Sequence, residues 1–370
     1  MRCHERHSAL LISCGFIGLA VLLASPDQVP AGHGGSTAKP TVDSSIASYI
    51  PEAKIAGGLT IAGSETMQPL MAKLATAFRE WQPHVKIGVQ GGGSVTAMHA
   101  FLLNQATIRQ GDGSPKGTHQ ASSHVDLLAS SAPMSEEERE DFRHRYGYEV
   151  TEIPIAMDAV AIYVHRTNPI HQLTLEQVDA IFGKDRKRGA RDVSTWDQLG
   201  LQGAWSQARI TLYGRDRKSG TRSVFMHSAL LDGELKDHVQ EQPGPASEIL
   251  AISRDQFVIG YAGIGFQTSF VRPVPLAEKA GMPAVMPDAE SAKDGTYPMS
   301  RFLYLYVKKN PDADLDKETL EFLKFINSRE GQQAVVRAGI FPLSQVQVAK
   351  NLQALAMPVA TAESGAIKTN

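Results

Sequence analysis

Three short stretches of glycine and hydroxyl residues carry the chemistry this chain could do: Gly63-Ser64-Glu65-Thr66, Gly91-Gly92-Gly93-Ser94 and Lys218-Ser219-Gly220-Thr221. Each stands where a strand pattern gives way to a helix pattern. Free backbone N–H groups at a helix start, joined by side-chain hydroxyls, are suited to holding an oxyanion. Arg215 precedes the third stretch and supplies a cation. A fourth loop, Ala129-Ser130-Ser131-Ala132-Pro133, has the same character. A small tetrahedral anion is strongly hydrated, so a buried site must replace its water with many donors. One guanidinium adds a bidentate fork and keeps its charge. Ser64, Thr66, Ser94, Ser131, Arg215, Ser219, Gly220 and Thr221 make up that inventory. It describes a receptor and needs no cofactor.

Enzyme readings find less to stand on. The 12 histidines are scattered, with no His-Glu-x-x-His spacing to hold a metal. No Gly-x-Ser-x-Gly elbow presents a serine nucleophile. Gly214-Arg215-Asp216-Arg217-Lys218 has the wrong glycine spacing for a nucleotide-binding loop. The expectation is therefore no catalytic residue and no metal site.

The elements that must position these loops follow from pattern. An extended run at Gly58-Leu59-Thr60-Ile61 leads into a helix whose stripe is Met67, Leu70, Met71, Leu74, Phe78 and Trp81. Pro83 ends it, and Val85, Ile87 and Val89 alternate as a strand before the glycine run. Ser135 with Glu136, Glu137 and Glu138 opens a further helix. Residues 153–165 read as a long extended stretch, broken near Met157-Asp158, where the chain crosses to a second lobe. Thr174 caps a helix through Phe182, and Ile210 to Tyr213 is a strand feeding the Arg215 loop. A helix over 222–231, strands over 257–263 and 302–307, and helices over 317–328 and 330–338 complete the order. The polar stretch 105–124, with His119 and His124, reads as a surface loop. Alternating strands and helices, with loops gathered at strand ends, imply α/β architecture.

Composition agrees with that class. The chain has 370 residues, 42% hydrophobic and 21% charged, with a formal net charge of −2. This gives no general attraction to nucleic acid or to an acidic membrane. Both cysteines, Cys3 and Cys14, lie in a first segment that reads as a secretory signal: Arg2 and Arg6, an apolar run over 9–24, then Val29-Pro30-Ala31. Leu11-Ile12-Ser13-Cys14 resembles a lipoprotein box, so a lipid anchor at Cys14 is the alternative, although the apolar run continues well past it. The expected organisation is a signal at 1–31, a loose leader at 32–56, a first lobe at 57–155 and 269–348, a second lobe at 156–268, and a tail at 349–370.

The ordered set of motifs resembles one family. Gly63-Ser64-Glu65-Thr66-Met67-Gln68-Pro69-Leu70, the glycine run, residues 126–133, Asp158-Ala159-Val160-Ala161, Asn168-Pro169-Ile170, Ser219-Gly220-Thr221-Arg222, Ile259-Gly260-Tyr261 and Arg301-Phe302-Leu303-Tyr304 follow one another as in the periplasmic phosphate-binding proteins of phosphate ABC transporters. The likeness covers roughly 57–345. It implies a two-lobe periplasmic-binding-protein fold of the type II kind, with inorganic phosphate held between the lobes. It also implies a monomeric, periplasmic receptor whose closure is read by an inner-membrane permease. The eight residues named above are then the phosphate ligands. Two departures stand out. Many members have an aspartate where this chain has Ser131, to accept the proton of hydrogen phosphate and repel sulfate. Glu65 is the candidate replacement; its plainer role is a capping acid. Members also often carry an acid two residues after the loop arginine, where this chain has Arg217, which makes Asp216 the candidate partner of Arg215. A receptor for another tetrahedral oxyanion such as sulfate, or a secreted or surface protein of the same fold, is the alternative function.

Overall fold

The computed structural model describes residues 40–104 and 124–356. The signal segment with Cys3 and Cys14, His119 with most of the polar loop, and the chain beyond 356 lie outside the described residues. Among the described residues, no helix is long and apolar enough to cross a membrane.

One sheet organises the fold. Strand β1 (Ala56–Gly63) leads to helix α1 (Gln68–Trp81), which buries the expected stripe of Leu70, Met71, Leu74 and Phe78. Strand β2 (His84–Gln90) returns parallel to β1, with Leu59 opposite Ile87, and is followed by α2 (Ser94–Leu103). Strand β3 (Leu127–Ser130) pairs with the other side of β1. Helix α3 (Glu136–Tyr146) starts on a capping box between Ser135 and Glu138. Strand β4 (Thr151–His165) then runs 15 residues without interruption. The break expected at Met157-Asp158 is a change of partner instead. Up to Ala159 the strand pairs with β11 (Ser300–Val307); from Val160 it pairs with β8 (Val258–Gly263).

The second half repeats the alternation. Strand β5 (Leu173–Thr174), α4 (Leu175–Phe182), β6 (Thr211–Arg215), α5 (Gly220–Leu230), β7 (Gln240–Gln242) and α6 (Pro245–Ile252) precede β8. Strands β9 (Val271–Pro273) and β10 (Leu276–Ala277) and helix α7 (Ala289–Asp294) lie between β8 and β11. After β11 come α8 (Lys317–Ile326), α9 (Arg329–Arg337) and α10 (Gln345–Ala356). The sheet order is β2-β1-β3-β11-β4-β8-β6-β7, with β9 on β4.

Two main cores fill this frame. The larger one in the first half gathers Ile61, Leu70, Phe78, Leu127, Leu305, Phe322 and Val335. The one in the second half gathers Val160, Phe182, Trp196, Phe225, Tyr261 and Tyr297. Burial of such side chains, at about 25 cal/mol per Å² of apolar surface, is the main stabilising term in each.

Three sequence expectations change here. The chain does not leave the second half near Phe270: Pro273 pairs with Tyr163, and Val274, Leu276 and Met299 join the second core, so the return is at β11. The leader is ordered from residue 40: Ile46 and Tyr49 are buried, and the Tyr49 hydroxyl donates to Glu321 at 2.5 Å. Tyr49, together with bonds from Arg329 to the Ser44 and Ile46 carbonyls and from the Tyr49 amide to Glu330, fixes a segment whose Ser/Pro/Ala composition reads as loose. The tail likewise begins as helix α10, whose Asn351 donates to the Pro154 carbonyl at 2.6 Å.

Candidate anion-binding site

Four loops meet between the two halves. Gly63 ends β1 so close to β3 that a Cβ there would stand 1.9 Å from the Ala129 carbonyl oxygen. That approach lets the Ser64 amide donate to Ala129 at 2.8 Å and sets Ser64 Oγ 2.7 Å from Ser131 Oγ, sharing a hydrogen bond. The Thr66 amide donates to Ser64 Oγ at 3.2 Å. Thr66 Oγ1 then reaches across to Thr221 Oγ1, 2.9 Å away on the other half. Gly220, at the start of α5, faces the same cluster: a Cβ there would lie 2.8 Å from both Ser131 Oγ and Ser94 Oγ. Ser64, Thr66, Ser94, Ser131, Gly220 and Thr221 are thus brought together. All are buried.

The glycine run has a physical reason. Gly93 sits at φ +91°, and a Cβ on it would strike the Lys218 carbonyl at 2.6 Å, so the two halves touch backbone to backbone. Gly91 packs under the Glu65 carboxylate, and the Gly92 amide donates to Glu65 Oε1 at 2.6 Å. Glu65 therefore lies at the site and clamps the second loop to the first.

Ser219 takes a different place. Its hydroxyl caps α5, accepting from the Arg222 amide at 3.4 Å. That cap leaves the first-turn N–H groups at Gly220 and Thr221 without intrahelical acceptors. Arg215, at the end of β6, is fully buried. Its Nη2 donates to the Pro243 carbonyl at 3.0 Å and its Nε to Gln242 at 3.4 Å. Its amide donates to the Tyr261 hydroxyl at 3.2 Å. Nη1 has no hydrogen-bond partner among the described residues, and neither does Ser94 Oγ. An unpaired buried hydroxyl in the cluster and an unpaired guanidinium nitrogen in the loop before α5 are each costly unless a ligand answers them.

Asp216 is not the partner of Arg215 that sequence suggested. Its carboxylate accepts from the Lys218 amide at 3.2 Å. Burial pulls Arg215 below the ordinary guanidinium range, and the largest charge opposing this is Glu248, ahead of Asp216. Glu248 comes from α6 and is itself buried. As a first-turn acid in a short apolar helix it carries the signature of a helix-start residue, so spacing alone gave no signal for it.

The crossover strands are fastened beneath the site. Arg301 on β11 donates twice to Asp158 Oδ2 on β4, at 3.0 and 2.7 Å, and once to the Ser131 carbonyl at 2.8 Å. Asp158 Oδ1 accepts from the Ile264 amide at 3.1 Å, just past β8. One buried ion pair thus joins β4, β11, the exit of β8 and an anion loop. Asp158 thus serves the frame of the site. His124 pairs with Asp126 at 2.7 Å. Among the described residues, no three of His, Cys, Asp and Glu gather as ligands for a metal.

Comparison with known proteins bears on the arrangement. The PBP superfamily domain matches residues 37–330. The phosphate-binding protein PstS of Pseudomonas aeruginosa is 39% identical over 91% of this chain and 98% of its own length. PstS of Bacillus subtilis is 26% identical over 90% of this chain and 96% of its own. Among solved structures, one from Clostridium perfringens with bound phosphate covers 78% of this chain and 100% of its own at a TM-score of 0.62 and 22% identity. An ABC-type phosphate transport receptor from Vibrio cholerae covers 77% of this chain and 100% of its own, with a TM-score of 0.56 and 21% identity. At those identities the structural likeness shows the two-lobe fold.

Proposed function

The chain belongs to the PBP superfamily and, within it, to the family of the phosphate-binding protein PstS, and on that premise we propose that it captures inorganic phosphate between its lobes and delivers it to an ABC transporter permease. One observation carries the reading to these residues. Hydroxyls from both halves converge, Ser64 on Ser131 and Thr66 on Thr221, with the unpaired Ser94 hydroxyl beside them, and the buried Arg215 guanidinium keeps Nη1 unpaired. The proposed ligand set is Ser64, Thr66, Ser94, Ser131, Arg215, Ser219, Gly220 and Thr221. Neutral donors and one cation hold a dianion without trapping it. The first lobe comprises 57–155 and the stretch from β11 to about 348, and the second comprises 156–299. The protein acts as a monomer outside the cytoplasmic membrane, exported by the signal at 1–31, and does no chemistry on its ligand.

Ser131 leaves the site without the family's aspartate. Glu65 stands at the same loop junction and accepts the proton of hydrogen phosphate; its bond from the Gly92 amide holds it in position. The test is calorimetric titration of wild type and Glu65→Gln with phosphate, arsenate and sulfate. Wild type should bind phosphate and arsenate and reject sulfate, and the variant should lose that preference. Equal preference in both would remove Glu65 from this role. Wild type that binds sulfate in place of phosphate would make it a receptor for another oxyanion, and no binding of any of the three would overturn the reading.

A further inference from the structure

Glu248, like Asp179, is a buried carboxylate of the second half with no cationic hydrogen-bond partner among the described residues, and of the two it is the one whose charge acts on Arg215. Helix α6 packs on β6, the strand that ends at Arg215, and the Glu248 charge acts on the guanidinium. Glu248 Oε1 accepts from the Tyr261 amide at 2.9 Å, and its Oε2 has no hydrogen-bond partner among the described residues. The seat is built for it: a Cβ on Gly260 would lie 2.9 Å from Oε1. Tyr261 ties the two charges into one unit, because its hydroxyl accepts from the Arg215 amide while its own amide serves Glu248. The guanidinium leans on the Gln242 and Pro243 carbonyls, in the turn that leads into α6. No hydrogen bond joins guanidinium and carboxylate, and each keeps one buried polar atom unsatisfied.

We propose that Glu248 is the proton-linked counterion of the anion site: it sets the charge an incoming anion meets at Arg215, and it takes a proton from solvent when the anion binds. The inference rests on the phosphate reading above and concerns how that site manages charge. Above about pH 8, where Glu248 is ionised, its charge offsets buried Arg215 in the ligand-free protein. An anion arriving at Arg215 brings like charge toward the carboxylate, in a setting where little water screens it. Adding a proton to Glu248 removes that repulsion and frees the whole guanidinium charge for the ligand.

Of the charges that act on Arg215, Glu248 is the largest, ahead of Asp216 and Glu65. Helix α6 packs on β8, β6, β4, β7 and the turn at 264–266. From β8 the titratable group is Tyr261, and from β6 they are Arg215 and Tyr213. From β4, Asp158 is paired with Arg301, Tyr163 is buried, and His165 bonds Thr167. From β7, Glu241 is paired with Arg222. The turn at 264–266 has no titratable side chain, and Arg254 and Asp255, beyond the end of α6, are exposed. Burial pushes Glu248 up to about 8, against the pull of the Tyr261 amide and Arg215.

The test is phosphate calorimetry on wild type and Glu248→Gln from pH 6 to 9, repeated in buffers of different ionisation enthalpy. Phosphate's own titration is common to both proteins, so their difference isolates Glu248. Above pH 8, wild-type affinity should fall more steeply than that of the variant, by up to about tenfold per pH unit for one linked proton. Proton uptake on binding should be larger in wild type. At pH 9 the variant should bind more tightly. Parallel pH profiles and equal proton counts would overturn the inference while leaving phosphate capture intact; absence of phosphate binding in wild type would overturn both. Should Glu248→Gln fail to fold, infrared difference spectra of wild type above pH 8 decide the matter. A carboxylic-acid carbonyl band must rise when phosphate is added, and its absence refutes the assignment.

Discussion

Two buried arginines serve two regions of this molecule in opposite ways. Arg301, at the crossover between the halves, has two bonds to Asp158 and one to the Ser131 carbonyl, so its charge is fully answered. Arg215, in the second-half loop, rests on two carbonyls, keeps Nη1 unpaired, and faces a carboxylate that it does not touch. A satisfied ion pair fixes geometry; an unsatisfied one stores a demand that a ligand can meet. The contrast separates the fastening of the lobes from the capture of the anion, although both regions lie within the same buried layer.

The contrast predicts a large asymmetry in stability. Asp158→Ala strands the Arg301 charge in the interior and should cost about 3–5 kcal/mol in denaturant unfolding. Arg215→Met removes a cation whose needs are unmet, so its unfolding free energy should change far less. A comparable loss from both substitutions would erase the distinction. In binding the order reverses for Arg215. Its Met variant should lose at least about 1.5–3 kcal/mol of phosphate binding, or roughly ten- to hundredfold in Kd by calorimetry. Retained affinity would place the anion elsewhere. A smaller effect is expected from Gly220→Ala, whose methyl would press on Ser94 and Ser131. It should cost about 1–3 kcal/mol in affinity through poorer closure, with less change in the unfolding midpoint. Tighter binding by this variant would mean that the hydroxyl cluster is not the seat.

Glu248 adds a pH dependence to stability. An unfolded Glu248 ionises in the ordinary carboxylate range, whereas the folded group holds its proton up to about 8. Between those limits the folded chain binds more protons, so stability falls as pH rises through that window. Glu248→Gln should flatten this fall.

Many helix starts were legible in both halves because their signals are local. The α1 stripe, the Ser135 capping box and the Thr174 capping box each depend on residues within a few positions of one another. The hydroxyl loops were legible for the same reason, since Gly-Ser-x-Thr and Gly-Gly-Gly-Ser announce a strand giving way to a helix. The ordering of residues 40–55 was not, because it depends on bonds from this segment to Glu321, Arg329 and Glu330, between 272 and 285 positions away. Neither was the return at β11, since the short strands β9 and β10 carry too few residues to show which half they join.

The sequence by itself determined the donor inventory, the α/β alternation and the family, since residue types, periodicity and motif order are properties of the chain in one dimension. Tertiary structure decided which donors meet, which are already satisfied, and which acid answers Arg215. Glu248 and Arg215 are 33 positions apart, and only the folding of α6 against β6 and β8 sets their charges in one buried space. Distance and dielectric govern such an interaction, and neither is written in residue order.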